Sequence, residues 1–290
     1  QKENKIRHRL LKIRAKKVIT ATGSLERPLI FDNNDRPGIF LSSAMEKYSN
    51  LFGVACGERV ILFTNNDSAY ETAISLIQKG IHIEAIIDNR EDVDSKLIKE
   101  TEKNNIKVYR GYTIVNTYGY KRINKVSIMQ LSKDGRKVVG SKISISCDCL
   151  GMSGGWTPAV HLFTQSGGKL KFRDEDQVFI PSIYPPNQIS IGSSNGDFEL
   201  DDVVNNTIKS IKVFLKLDKS SYEQLNIECS KEKQKRNIWL LPSDKPMSKT
   251  KPFLDFQNDS TAKDVKLALR EGFKSIEHVK RYTTTGMGTD

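Results

Sequence analysis

Nothing in this 290-residue chain approaches the run of roughly 18 to 20 apolar residues that a membrane-crossing helix needs, so no membrane partner is expected. The basic start, Gln1-Lys2-Glu3-Asn4-Lys5, leads into no apolar leader core. It has no initiating Met, and with the stop at Thr289-Asp290 the chain reads as a fragment. Cysteine is scarce. Four residues, Cys56, Cys147, Cys149 and Cys229, are too few and too scattered for a disulfide framework, and they suit a reducing compartment. Only Cys147 and Cys149 are close, and they end an alternating stretch (Ile143, Ile145, Cys147), which makes them buried thiols and not metal ligands. H-E-x-x-H, G-x-S-x-G and G-K-[ST] are all missing, which leaves the common zinc-protease, serine-hydrolase and phosphate-loop chemistries without support. Four histidines, at 8, 82, 161 and 278, have no acid–base partner at a telling spacing, and His161 reads as structural. No residue is assigned a catalytic role.

What is present is a soluble balance, 37% hydrophobic and 28% charged, with a formal net charge of +11. A positive excess invites nucleic-acid binding. Here lysine is spread along the whole chain. The densest cluster, Lys231-Glu232-Lys233-Gln234-Lys235-Arg236, is short, carries a Glu and reads as a solvated face, so no nucleic-acid partner is expected.

Hydrophobic spacing predicts an α/β chain. Residues 10–23 read as a basic strand pair with Val18 and Ile19 as a small buried core, closed by Gly23. A helix is expected over 42–51, capped by Ser42 or Ser43. The clearest pattern is a βαβ unit: a strand at 59–64, a helix at 68–79 stopped by Gly80, and a strand at 83–88 ending in Asp88. A helix at 94–104 and a strand at 106–110 continue the alternation. Three antiparallel strands follow at 114–118, 125–131 and 138–146, with Asp134-Gly135 as a hairpin turn. Residues 151–156 read as a glycine-dense loop and 188–192 as a strand. Residues 200–217 read as a helix with Val203, Val204, Ile208, Ile211 and Leu215 inward, and 218–251 as a linker with little core. A last helix spans 261–271.

Ala21-Thr22-Gly23 with Pro28 and Pro37-Gly38 resembles the A-T-G strand of flavoproteins of the glutathione-reductase and thioredoxin-reductase superfamily. The resemblance implies two Rossmann-like FAD/NAD(P) domains, one inserted in the other. On that frame residues 1–50 are a partial first dinucleotide domain lacking its N-terminal βαβ, 51–150 the inserted domain, and 151–217 the return to the first. Residues 218–252 are then a linker and 253–290 a small α-rich unit. Glycines let a pyrophosphate approach the backbone, and a helix N-terminus stabilises its charge. The turn Thr64-Asn65-Asn66-Asp67-Ser68-Ala69 has no glycine, so the inserted domain is expected to keep the fold without the nucleotide, although Asp88 would suit a ribose. Ser193 follows Gly192 where the superfamily usually has an Asp toward the flavin, a pattern compatible with NAD in a flavin-like cradle.

Phe253 to Asp290 resembles the two-iron, two-sulfur domain of bacterial amine and amino-acid dehydrogenases, with Asp255-Phe256-Gln257 in place of its C-x-C and Asp290 in place of a further Cys. Without thiolates no iron–sulfur cluster is expected. The cysteine-free version, with Phe63 to Tyr70, Gly151 to Leu162 and Ile276 to Tyr282, is similar to alpha subunits of heterotetrameric sarcosine oxidases. That resemblance implies oxidation of sarcosine to glycine with oxygen, giving hydrogen peroxide and passing a one-carbon unit to tetrahydrofolate through a folate-binding domain beyond residue 290. It also implies a cytoplasmic complex with beta, gamma and delta partner subunits, with FAD on beta, FMN between alpha and beta, and NAD on this subunit. Ala21, Thr22, Gly23, Gly192, Ser193 and Trp156 become the candidate cofactor contacts; His278, Lys280 and Arg281 become candidates for the FMN or subunit interface. An NAD(P)H-dependent FAD oxidoreductase and a non-catalytic scaffold subunit remain as alternatives.

Overall fold

A computed structural model describes residues 8–93, 96–217, 225–227 and 236–288. Cys229 and most of the basic cluster at 231–236 lie outside the described residues. The chain divides into two compact units, residues 1–25 with 157–229 and residues 26–156 with 230–290.

The second unit is built on a five-stranded parallel sheet. Its strands run in the order Ile39–Leu41, Cys149–Ser153, Arg59–Thr64, His82–Asp88, Lys107–Arg110. Residues of one strand point alternately to the two faces. Val60 and Leu62 therefore enter a core with Met45, Tyr70, Ala73, Leu76 and Ile98, while Ile61 and Phe63 enter a second core with Ala85, Ile87 and Met152. The first core is backed by helices Ser42–Phe52, Ser68–Gln78 and Lys96–Lys103. The second is backed by the antiparallel sheet Tyr112–Tyr118, Lys125–Leu131, Val138–Ser146 through Ile114, Val126 and Ile128. Burial on both faces, at about 1.5–3 kcal/mol for each large side chain, explains the unbroken apolar run at 60–63.

Several expectations shift. Residues 151–153 are not loop: Cys149–Ser153 is a central strand, buried throughout, paired in parallel with Ile39–Leu41 on one side and Arg59–Thr64 on the other. That pairing places residues 26–50 and 151–156 in the same compact unit as 51–150, and the compact units divide at 25/26 and 156/157 where the sequence reading has 50/51 and 150/151. The described part of the 218–252 linker joins the second core. Leu241 is buried in the second core with Ile238 and Trp239 against it, and Ile30 donates its N–H to the Trp239 carbonyl while accepting that of Leu241. Helix Ser42–Phe52 is capped by neither serine. Its N-cap position is Leu41, and the buried Glu26 carboxylate accepts the Ser42 hydroxyl at 2.6 Å and the Ser43 N–H at 2.9 Å.

The C-terminal piece sets helices Ala262–Arg270 and Ile276–Thr283 on the short pair Phe253–Asp255 and Ser260–Thr261. Thr261 and Asp264 form a capping box at the start of the first helix. The piece is tied to residues 32–34 by Asn34, which exchanges two hydrogen bonds with the Phe253 backbone, and by Asp32, which accepts the Lys251 N–H.

In the first unit only Val18–Thr20 of the expected 10–23 strand pair lies beside a parallel partner, Gln188–Ser190, and residues 8–15 form no strand. Val18 and Ile19 are 43% and 39% exposed, so they are no buried core. An unanticipated hairpin joins Lys169–Arg173 to Val178–Ile183. Helix Leu200–Leu215 is amphipathic as read, yet none of its residues is buried.

Candidate functional site

Parallel strands of dinucleotide domains bind their ligands just past the strand C-termini. In the first unit Thr20 pairs with Ser190, so Ala21 and Ile191 leave the sheet side by side. The exit is pinned from several directions. The Thr20 and Ser190 hydroxyls lie 2.6 Å apart, and the Thr20 carbonyl accepts both the Ile191 N–H at 3.0 Å and the Ser194 hydroxyl at 3.3 Å. Thr22 donates to the Ala159 carbonyl at 2.6 Å, and Ala159 returns its N–H to Gly23. The structure thus brings Ala21, Thr22 and Gly23 to the same strand ends as Gly192 and Ser193.

Both glycines have positive φ, +74° at Gly23 and +64° at Gly192. A Cβ built on Gly23 meets nothing within 4 Å, and one on Gly192 meets only Val203 Cγ1 at 3.7 Å. Neither glycine is required by neighbouring protein; each keeps a left-handed backbone beside open space, which fits a ligand backed against main chain. Ser193 is the second residue of the short 3-10 turn Gly192–Asn195. An acid that sequence reading passed over stands four residues on. The Asp197 N–H bonds the Gly192 carbonyl, its side chain accepts from Asn206, and burial pushes its carboxyl up.

Trp156 belongs to the second unit. Its indole N–H donates to the Ser68 hydroxyl at 3.2 Å, at the mouth of the inserted sheet. That mouth is filled by its own side chains. Where a phosphate-binding domain has glycines, Asn66 is buried. Its amide donates to the Ser153 carbonyl and hydroxyl at 3.1 and 3.0 Å, and its carbonyl accepts the Ser68 N–H at 3.1 Å. Asn66 therefore occupies the first turn of helix Ser68–Gln78 as an anion would.

Asp88, which the sequence offers to a ribose, is fully buried and already used. Its carboxylate accepts the Tyr70 hydroxyl at 2.9 Å, the Arg90 N–H at 2.9 Å and the Arg90 guanidinium at 2.7 and 3.0 Å. Arg90, 1% exposed, also reaches Asp67 at 2.8 Å. Burial, then the adjoining Asp88 charge, push the Tyr70 hydroxyl far up, so it stays a donor. Sequence reading found Asp67 and Asp88 but missed Arg90, which occupies the space between them.

His278, Lys280 and Arg281 lie exposed on helix Ile276–Thr283. His278 and Arg281, three apart, share a face, while Lys280 lies beside Gly286 on another. Asp255, at the first position of the missing C-x-C, accepts the Asn258 amide at 2.9 Å and the backbone N–H groups of Gly286, Gln257 and Asn258 at 2.7, 2.9 and 3.1 Å. The Asn258 amide, followed by the Gly286 N–H, lowers its carboxyl to about 2. Gln257 faces Gly288, so both outer positions of the motif still meet the 286–288 segment.

Residues 249–290 match a family model described as the sarcosine oxidase A3 domain. The chain is 32% identical over 298 residues to the sarcosine oxidase subunit alpha of Corynebacterium sp. (strain P-1), covering 98% of this chain and 30% of that protein. It is 32% identical over 286 residues to the subunit alpha of Rhizobium meliloti (strain 1021), covering 97% and 27%. The chain thus spans less than a third of the length of these relatives. Among solved structures, L-proline dehydrogenase from P. horikoshii aligns over 94% of this chain and 50% of its own, with a TM-score of 0.60 and 18% identity. T. acidophilum thioredoxin reductase aligns over 70% and 65%, with a TM-score of 0.51 and 18% identity. At such identities the likeness is one of fold alone, a Rossmann-like α/β arrangement with a parallel sheet.

Proposed function

From the premise that this chain is homologous to sarcosine oxidase alpha subunits along nearly its whole length, we propose that it is the dinucleotide-domain part of an alpha-type subunit of such an oxidase. The homology is the observation that carries this reading. The complex oxidises sarcosine to glycine with oxygen, releases hydrogen peroxide and passes the one-carbon unit to tetrahydrofolate. The chemistry belongs to FAD and FMN held with beta, gamma and delta partners and to a folate-binding region outside these residues.

The part played by this chain is to hold one dinucleotide, NAD, at the strand ends of its first unit. Thr22 and Gly23 border it on one strand end and Gly192 and Ser193 on the other. The open left-handed glycines and a Ser in the flavin-facing position support that assignment. NAD bound there is structural and takes no part in electron transfer. The inserted domain contributes fold without nucleotide, in keeping with the Asn66 and Arg90 networks across its mouth. His278, Lys280 and Arg281 face FMN or a partner, and the C-terminal piece carries no iron–sulfur cluster. The test is to purify the full-length subunit, denature it and identify the released nucleotide by mass spectrometry. NAD without FAD is expected. FAD would favour a flavin reductase, and an empty site would leave a scaffold role.

A further inference from the structure

In the second unit, helix Ser42–Phe52 turns one side away from its core. Leu51 and Phe52 are 65% and 60% exposed, and Tyr48 and Val54 are nearly half exposed. Phe40, Tyr48 and Phe52 form a row of rings with centroids 6.4 and 6.0 Å apart. Beside that row opens a cavity of about 410 Å³, lined by Phe40, Tyr48, Val54 and the half-buried Cys56 together with Lys121 and Arg122. No acidic side chain lines it. Arg122 is held in place by the main-chain carbonyls of Cys56 and Asp148, which fix its position without neutralising it.

Contiguous exposed apolar surface rimmed by charge marks an interaction site, and a concave one suits an anchoring side chain. We propose that this face docks a segment of a companion subunit that inserts one apolar side chain beside Tyr48 and Val54 and sets carboxylates against Lys121 and Arg122. The assignment rests on the multi-subunit reading given above. The charge on the rim argues for a different polypeptide: a second copy would bring cations toward cations, and this chain carries a net +11.

Cys56 is a free thiol inside the cavity and reports its coverage. The full-length subunit is labelled with a maleimide, alone and in complex with its companion subunits, and modification of the Cys56 peptide is followed by mass spectrometry. Labelling at least tenfold slower in the complex is expected. Phe52→Asp weakens assembly at least tenfold. Lys121→Glu weakens it with an effect that shrinks as salt is raised. Both positions are exposed, so circular dichroism of each variant is expected to match the parent and separates lost docking from lost folding. Unchanged Cys56 labelling in an assembled complex overturns the docking face and leaves the subunit reading standing. Protection already present in the isolated subunit overturns it in favour of the chain's own further segments if independent of concentration, or of a second copy if it grows with concentration. Failure to assemble with any companion overturns both readings.

Discussion

The Arg90 guanidinium lies 2.7 Å from the Asp88 carboxylate, both side chains are closed off from solvent, and Asp88 is the strand-end acid of the inserted sheet. The acid that the sequence offers to a ribose is here in an internal ion pair, extended on one side to Asp67 and on the other to Tyr70.

Removing one partner of a buried pair leaves the other charge uncompensated. Arg90→Met is expected to cost about 3–5 kcal/mol in urea unfolding. Replacing Asp88 by Leu in the same chain is expected to recover part of that loss. A double variant no more stable than the single would show that the network does not act through the pair.

Helix Ser42–Phe52 takes its cap from a distant residue, so its stability should respond to position 26. Glu26→Ala is expected to cost about 1–2 kcal/mol and to speed amide exchange at Ser43. Ser43→Ala removes one of the three bonds to this carboxylate and is expected to cost less.

The glycines at the first-unit strand ends separate strain from ligand contact. Gly23→Ala meets no neighbouring atom, so its stability cost is that of the left-handed backbone, about 1–2 kcal/mol. If a dinucleotide lies against that backbone, retention of NAD through gel filtration falls far more than thermal stability does. Full retention would place the ligand elsewhere.

Asp255 carries a depressed carboxyl, so its contribution to the 255–286 crosslink is complete above the ordinary aspartate value of about 3.9 and is lost as pH falls through about 2. NMR is expected to show the Asp255 carboxyl and the Gly286 amide titrating together in that low range. Gly286 shifts that follow pH 4 instead would place the bond outside the native state.

Burial separates the thiols as well. Cys147 and Cys149 are pushed up to about 12 and sealed in the two cores; burial raises the Cys56 thiol as well, but it lines an open cavity, so native protein at pH 8 should modify Cys56 and leave the other two.

Much of the second unit's parallel sheet is legible in the residues because two-sided burial writes continuous apolar runs, as at Val60–Phe63 and, after Glu84, Ala85–Ile87. Ile39–Leu41 is not legible. It has three half-buried residues, and its partner at Leu150–Met152 lies more than a hundred positions away. The glycine at 151 suggested a loop because nothing local reveals that both neighbours are strands. In the candidate site, Ala21, Thr22, Gly23, Gly192 and Ser193 do meet at adjacent strand ends. Trp156 stands with Ser68 in the other unit. Arg90 was invisible for a different reason: an arginine two residues past a strand reads as surface, and only the fold shows that Asp67 and Asp88 close over it.

Cys149–Ser153 lies between two strands that were made about ninety and a hundred and ten residues earlier, and Leu241 completes the same core later still. On a ribosome, therefore, helix Ser68–Gln78 and its flanking strands emerge as a half-sheet with one edge of Arg59–Thr64 unpaired, awaiting a strand yet to be synthesised. Such non-local closure is slow and leaves a sticky intermediate. The yield of this subunit in a cell should accordingly depend on translation speed between residues 64 and 153 and on chaperones that shield that edge.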